Sequence, residues 1–511
     1  MSEHVTDHLI IGAGPAGLQL AHLLQQAGRD YIVLERAAAP GHSFATFPRH
    51  RRLISINKRY TGTTDAEINL RMDWNSLLSD DPELLFTRFS DSYFPHADDM
   101  LDYLREFAAR CGLTIEFGCR VVELARDGDT FRATDEAGNT YRAPRVVIAT
   151  GVGQPQLPAI PGAELADNYA TVSTDPAEFV DKRVLVVGKG NSAFETADHL
   201  TPVAAVIHVA GPNPVRLAWN THFVGHLRAV NNNFLDTYQL KSQNAIVDAK
   251  IAGIRRSGAG YDVEFIFSRG SVHIGYDRVI LCTGFRFDTS LFDVSARPAL
   301  ADNGRFPALT GAYESVDQPG MYFAGTLTQQ LDFKKGTNGF IHGFRYGARA
   351  LFHVLEQRYH RVPWPHREID PSVANLAAEI LARVNRSSAL WQQFGVLADA
   401  VRIPGAGRAE YYEEVPVRHP DFWQAGSDDD MLMVTLEYGP DAVTHFDGKP
   451  VLADASPASS YLHPVVRHYR AGALLGTHHV ASNLDNDWGA TIYADRLRDF
   501  LTASTVDSVA V

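Results

Sequence analysis

Two glycine fingerprints set 176 positions apart, GAGPAG at residues 12–17 and GKGNSA at residues 188–193, constrain this chain more than any other feature. Each follows an apolar strand-like run (HLII, VLVV) and precedes a helix-like one (LQLAHLLQQAG, FETADHL), so each reads as a nucleotide-binding turn. Their pairing points to flavin plus nicotinamide chemistry. In the first, Gly12 permits the tight turn, Gly14 admits a pyrophosphate close to the backbone, and Gly17 lets the helix pack on the strand. Pro15 and Ala16 open that helix, whose free N–H groups face the phosphates. Glu35 ends the following strand, 18 residues beyond Gly17, and is placed to accept ribose hydroxyls.

Gly188, Gly190, Asn191, Ser192 and Ala193 repeat the logic with one difference. Eighteen residues beyond Ala193 comes Gly211, and no acid lies between His208 and Arg216. An acid there would repel a 2′-phosphate, whereas His208, Arg216 and Lys189 would attract one, so NADPH is favoured over NADH. Arg216 reads equally well as a solvated surface residue.

The length of 511 residues exceeds one ordinary core and predicts three or four units. A 45% apolar, 21% charged composition without a run long enough to cross a bilayer predicts a soluble protein that spans no membrane. The first strand begins at His8, leaving no room for a signal peptide, and the expected location is the cytoplasm. A formal charge of −13 disfavours nucleic acid as a partner. Three cysteines, Cys111, Cys119 and Cys282, form no CxxC pair, against a disulfide framework, a zinc ribbon or a dithiol reductase. A homodimer is the default assembly.

The expected fold class is α/β, with two Rossmann-like units of parallel strands and helices on both faces, small antiparallel meanders and an α+β C-terminal extension. The expected boundaries are 1–155 for the first part of an FAD-binding domain, 156–290 for an NAD(P)H-binding domain, 291–370 for a return segment of the first, and 371–511 for a cap or interaction extension. Residues 40–100 mix Pro, Gly, Arg and aromatics without periodicity and read as loops over a ligand. Expected cofactor contacts also include Arg36, Ser43, Trp74, Asn75, Val121, Thr150 and Gly151, although Trp74 reads equally well as a plain core aromatic. His478 and His479 are adjacent, so on a strand they face opposite ways and share no metal ion. No metal site is expected.

GAGPAG with Glu35, the ATG turn at 149–151, GKGNSA with Glu195 and the SINK motif at 55–58 resemble the flavin-containing and N-hydroxylating monooxygenases over residues 1–350. Nearly the whole chain is similar to the endoplasmic-reticulum FAD-dependent oxidoreductase-domain proteins, through PRHRRLISINKRYTG, DWNSLLSDDPELLF, THFVGHLRAVNNNFLDTYQLKS, LDFKKGTNGFIHGFRYGARA and QQFGVLAD. It departs from them by lacking a signal peptide and by ending in SVAV, so it looks like a cytoplasmic bacterial relative.

The resemblance implies that NADPH reduces FAD, that molecular oxygen adds at flavin C4a, and that the hydroperoxide passes one oxygen atom to a small substrate. Asn57 is then the candidate near flavin C4a and the nicotinamide, since an amide donates and accepts without titrating. Lys58 lies beside it, and Asp332, Lys334 and Lys335 form a charged loop suited to orienting a polar substrate or simply to a solvated turn. Gly325 and Thr326 stand where relatives have Gly-Asp against the ribityl chain, and the helix near Phe340 points its N-terminus at the flavin pyrimidine. His222, His342 and Arg345 read as structural hydrogen-bonding residues. Baeyer–Villiger chemistry is disfavoured, because the positions of an FxGxxxH pattern carry Ile160, Gly162 and Ala166. A flavin oxidase or reductase without oxygen insertion, and a redox-sensing partner-binding module, are the competing readings.

Overall fold

The computed structural model describes residues 2–423, 429–439, 461–483 and 485–506. The SVAV terminus and part of the 371–511 extension lie outside the described residues. The protein is an α/β molecule with two parallel five-stranded sheets. The first runs in the order Met321–Phe323, Arg145–Ile148, His8–Ile11, Tyr31–Glu35, Ile115–Phe117. Its strands His8–Ile11 and Tyr31–Glu35 are buried at every position, as parallel strands covered on both faces must be. The helix Pro15–Gln26 crosses between them, and the strand order reverses at His8–Ile11, the switch point where a crevice opens at the C-terminal ends of the strands.

The second sheet repeats this pattern with the order Asp167–Asn168, Arg278–Leu281, Arg183–Val187, Val206–Gly211, Asn244–Asp248, again switching at its glycine-bearing strand. The strands of a four-stranded sheet, Glu3–Val5, Thr140–Ala143, Thr130–Asp135 and Val121–Asp127, back the first unit. An antiparallel meander, Lys250–Ser257, Gly260–Phe267 and Gly270–Tyr276, backs the second.

The C-terminal extension is a six-stranded antiparallel sheet packed on the helices Val373–Arg386 and Thr491–Val506, around a core that includes Leu376, Ile380, Leu432 and the fully buried Trp488. Within it His478 stacks on Phe500, while His479 Nδ1 lies 2.9 Å from His463 Nε2, so the two histidines do face different neighbours. Among the described residues no helix is long and apolar enough to cross a membrane.

This extension is seated on the first unit. Arg383 pairs with Glu67 at 2.5 Å, Arg349 with Glu414 at 2.5 Å, and Tyr346 Oη donates to Ser388 Oγ at 2.6 Å. Arg71 lies 4.3 Å from the Trp391 ring and donates to the carbonyl of Asn385. The segment 61–75, expected as loop, carries the helix Ala66–Met72 capped by Asp65, and the extension clamps it.

Candidate functional site

At the first fingerprint the glycines are fixed by contact. A Cβ at Gly12 would sit 2.7 Å from the carbonyl oxygen of Ala149, and one at Gly17 would sit 2.0 Å from that of Gly12. A Cβ at Gly14 would meet no protein atom within 4 Å. That opening lies at the N-cap of the helix Pro15–Gln26, which has no side-chain cap, so its first-turn N–H groups suit a phosphate. Gly325 approaches Ala16, where an added Cβ would come within 2.8 Å, and Gly151 faces Thr326 Oγ1. The turn at Thr150, the fingerprint and the return segment therefore converge on one crevice.

Glu35 is buried, and its two carboxylate oxygens accept the N–H groups of Ala13 at 2.8 Å and Ala37 at 2.9 Å. A hollow of about 370 Å³ opens beside it, lined by Arg36, Ala37, His42, Gly118, Arg120 and Glu136. Val121 follows Arg120 at the start of its strand, and Ser43 is exposed on the short helix His42–Thr46. This arrangement fits the adenosine end of a dinucleotide: an open phosphate cradle, a ribose-height carboxylate and a hollow beyond. The donor set fits FAD.

The second cradle matches the first. A Cβ at Gly188 would lie 2.2 Å from the carbonyl oxygen of Cys282, while one at Gly190 would meet nothing within 4 Å. The helix Asn191–Leu200 likewise has no side-chain cap. Asn191 is taken up in holding a loop: its Nδ2 donates to His226 O at 2.8 Å, and its Oδ1 accepts Arg228 N–H at 2.9 Å. Ser192 and Ala193 form the first turn.

Two of the three cations expected to read a 2′-phosphate are committed elsewhere. His208 lies inside its strand with Nδ1 2.6 Å from Tyr276 Oη, because the strand runs on to Gly211 and carries the phosphate end three residues further. Lys189 Nζ donates to Asn213 O at 2.9 Å and pairs with Asp248, which the register sets opposite Gly211. Asp248 arrives from the neighbouring strand, so local spacing gives no sign of its pair with Lys189. Arg216 is exposed and remains available.

A buried link joins the two units. Tyr169 Oη donates to Glu195 and accepts Arg49 N–H at 3.1 Å, and the Arg49 guanidinium donates to Val172 O at 2.6 Å. Burial pushes the Glu195 carboxyl up to about 7, partly offset by Tyr169. A carboxyl raised from 4.5 keeps a proton in the folded state that the unfolded chain has lost, so stability falls as pH rises between those two values. Glu195→Gln should flatten that slope, removing a loss on the order of 3 kcal/mol between pH 4.5 and 7 from the wild-type profile. Parallel wild-type and variant melting profiles across this range would contradict it.

Polar and aromatic side chains meet where the two units touch. Asn57 is buried and bridges to Asp73, its Nδ2 donates to Ser90 O at 2.7 Å, and its Oδ1 has no partner among the described residues. Trp74 follows Asp73 and lies 4.4 Å from the His342 ring, which stacks on Phe340. Asn75 is spent structurally, donating to Ile56 O at 2.8 Å and accepting from Ser55. Phe340 caps the helix Ile341–Leu355, whose N-terminus has no side-chain cap.

The charged loop is divided by the fold. Asp332 is buried, its Oδ2 accepting Asn338 N–H at 3.0 Å and its pKa pushed up to about 6 by burial, while Lys334 and Lys335 are exposed. Lys58 is exposed as well, and the arrangement does not gather these cations with Asp332. Arg345 is structural as expected, donating to Ser76 O and Leu70 O. His342 is not, for both its ring nitrogens lack partners among the described residues. Sequence reasoning missed Arg228 and Tyr438. The latter ring lies 4.9 Å from that of His222. Neither carries any periodicity or spacing that marks it.

A family model for pyridine nucleotide-disulphide oxidoreductases matches residues 9–325. FAD-dependent oxidoreductase domain-containing protein 2 of Mus musculus is 39% identical over 507 residues, spanning 91% of this chain and 76% of that protein. A flavin-containing monooxygenase from Stenotrophomonas maltophilia superposes with a TM-score of 0.54 at 22% identity, covering 68% of this chain and 97% of that one. A bacillithiol disulfide reductase from Bacillus cereus gives 0.54 at 20% identity, covering 70% and 100%. These two solved structures share the fold.

Proposed function

The chain belongs to the pyridine nucleotide-disulphide oxidoreductase family of FAD-dependent oxidoreductases, and on that premise we propose that it is an NADPH-dependent monooxygenase placing one oxygen atom on the nitrogen, sulfur or carbon of a small substrate. Residues 1–155 with 291–370 would hold FAD, 156–290 NADPH, and 371–511 would cap the flavin side. The chemistry that a bound flavin supplies is acceptance of a hydride from the nicotinamide and activation of molecular oxygen.

The observation that carries this reading is the aromatic contact between the two units. The loop that bears Phe223 and Arg228 reaches from the second unit onto Phe340 and Trp74 of the first, at 6.1 and 5.0 Å. The Asn57 amide oxygen, at the bridge to Asp73 that precedes Trp74, is buried and has no partner among the described residues. A wall of this kind would exclude water, which an oxygen-inserting site requires and a simple electron-transfer site does not. Asn57 would accept a hydrogen bond from the flavin edge or from the nicotinamide carboxamide, and Glu35 would fix the adenosine ribose. A thiol relay has no carrier here: Cys111, Cys119 and Cys282 are free, and burial raises the pKa of each.

The test is to reduce the flavin-loaded protein with NADPH without oxygen, then mix it with oxygen and an amine or sulfide probe. A transient absorbance that precedes reoxidation, with peroxide well below one equivalent per NADPH, supports oxygen insertion. Direct reoxidation with one peroxide per NADPH and every probe unchanged would establish an oxidase instead. For the nucleotide, Arg216→Ala should raise the KM for NADPH about tenfold while leaving that for NADH nearly unchanged, the loss of one charge-assisted contact to a phosphate. Equal changes for both nucleotides would remove Arg216 from this role.

A further inference from the structure

Arg228 carries a guanidinium to a place that lacks a counter-charge. Its backbone is pinned to Asn191, its side chain lies 5.0 Å from the centre of the Trp74 ring, and burial lowers its pKa with only the Tyr93 phenol opposing. Among the described residues no carboxylate pairs with it. On the same Trp74 ring packs His342, 1% exposed, with both nitrogens unsatisfied. Burial, then Arg345 and Arg228, hold this imidazole well below its ordinary pKa, so it is neutral and carries one N–H to give and one lone pair to fill.

A partly buried cation without an anion and a buried imidazole without a partner, both packed on the Trp74 ring, are each costly unless a ligand completes them. An oxyanion does so: it takes two parallel N–H bonds from the guanidinium and a third from the imidazole. Phosphate and carboxylate share this chemistry. The flanking surfaces, Trp74, Phe340 and Phe223, are aromatic and suit the flat apolar body of an organic acid better than a polar phosphoester.

We infer that Arg228, Trp74 and His342 form an oxyanion subsite that takes a carboxylate of the substrate. Calling the ligand a substrate rests on the oxygenase reading, but its binding does not, so turnover plays no part in the test. Benzoate is titrated into the flavin-loaded protein and followed by the flavin absorbance, with benzamide as its neutral counterpart. Benzoate should perturb the spectrum and bind at least about tenfold more tightly than benzamide, and Arg228→Gln should weaken benzoate by about tenfold or more while leaving the affinity for benzamide nearly unchanged.

Equal affinity for benzoate and benzamide, no benzoate response, or an Arg228→Gln protein that binds benzoate as the wild type does would each overturn the inference. A raised NADPH KM with unaltered benzoate affinity would assign Arg228 to the cofactor phosphates instead. Should Arg228→Gln fail to retain flavin, Arg228→Lys carries the test: it keeps the charge but not the paired donors, and benzoate should weaken several-fold. Should oxygen insertion fail while benzoate behaves as stated, the subsite stands and the oxygenase reading alone falls.

Discussion

Gly14→Val will yield folded protein without flavin, and Gly190→Val will yield yellow protein that NADPH no longer reduces. The two positions have ordinary backbone angles, φ −76° and −97°, so a side chain adds no conformational strain. Nothing in the protein lies within 4 Å of the Cβ at either. The added Cβ is clear of the protein, so the clash expected is with what enters the cradle, and overpacking a phosphate contact by two or three carbons costs about 1–3 kcal/mol or more. The flavin content of the first variant should fall several-fold or further, with the melting profile of the apoprotein unchanged. The second should keep full flavin but show a NADPH reduction rate lower by an order of magnitude or more. Normal flavin in Gly14→Val would refute the assignment of the first cradle. By contrast Gly17→Val and Gly188→Val place the side chain against backbone oxygen and should damage folding itself.

Arg383→Met will destabilise the protein by about 3–5 kcal/mol, the loss expected when one partner of a buried ionic group is removed. Arg383 Nε donates to Asp399 at 2.9 Å, Nη1 reaches Glu67 at 2.5 Å, and Nη2 lies 2.9 Å from Glu413. Asp399 is wholly buried, and burial raises its pKa even with Arg383 beside it. Without the guanidinium that carboxylate is stranded, although Tyr411 Oη and Glu414 N–H still donate to it. Adding Asp399→Asn should therefore restore part of the loss. Because Glu67 lies on the helix Ala66–Met72 of the first unit, the single variant should also expose the extension to limited proteolysis. A melting shift equivalent to less than about 1 kcal/mol would show that Arg349 and its pair with Glu414 suffice to seat the extension.

The nucleotide units were legible because glycine requirements are local. Gly12 and Gly188 have φ of +109° and +123°, and the strands that precede them carry the apolar runs expected of a parallel sheet covered on both faces. Glu35 could be counted from Gly17 for the same reason, since one helix and one strand of standard length intervene. At the second unit the count gives no sign that Lys189 is taken up by Asp248, since pairing partners 37 residues apart in the chain, as Gly211 and Asp248 are, leave no trace in local spacing.

What the sequence determined by itself was the pair of dinucleotide cradles, their order and the α/β class, all consequences of steric rules that act within about twenty residues. The tertiary structure alone decided which polar groups share a buried space. Arg228 meets Trp74 from another unit, Arg383 meets Glu67 across 316 residues, and Asp332 parts from its neighbouring lysines. The physical reason is desolvation. The worth of a charge or an imidazole depends on what surrounds it once water is gone, and those surroundings are assembled from segments far apart along the chain.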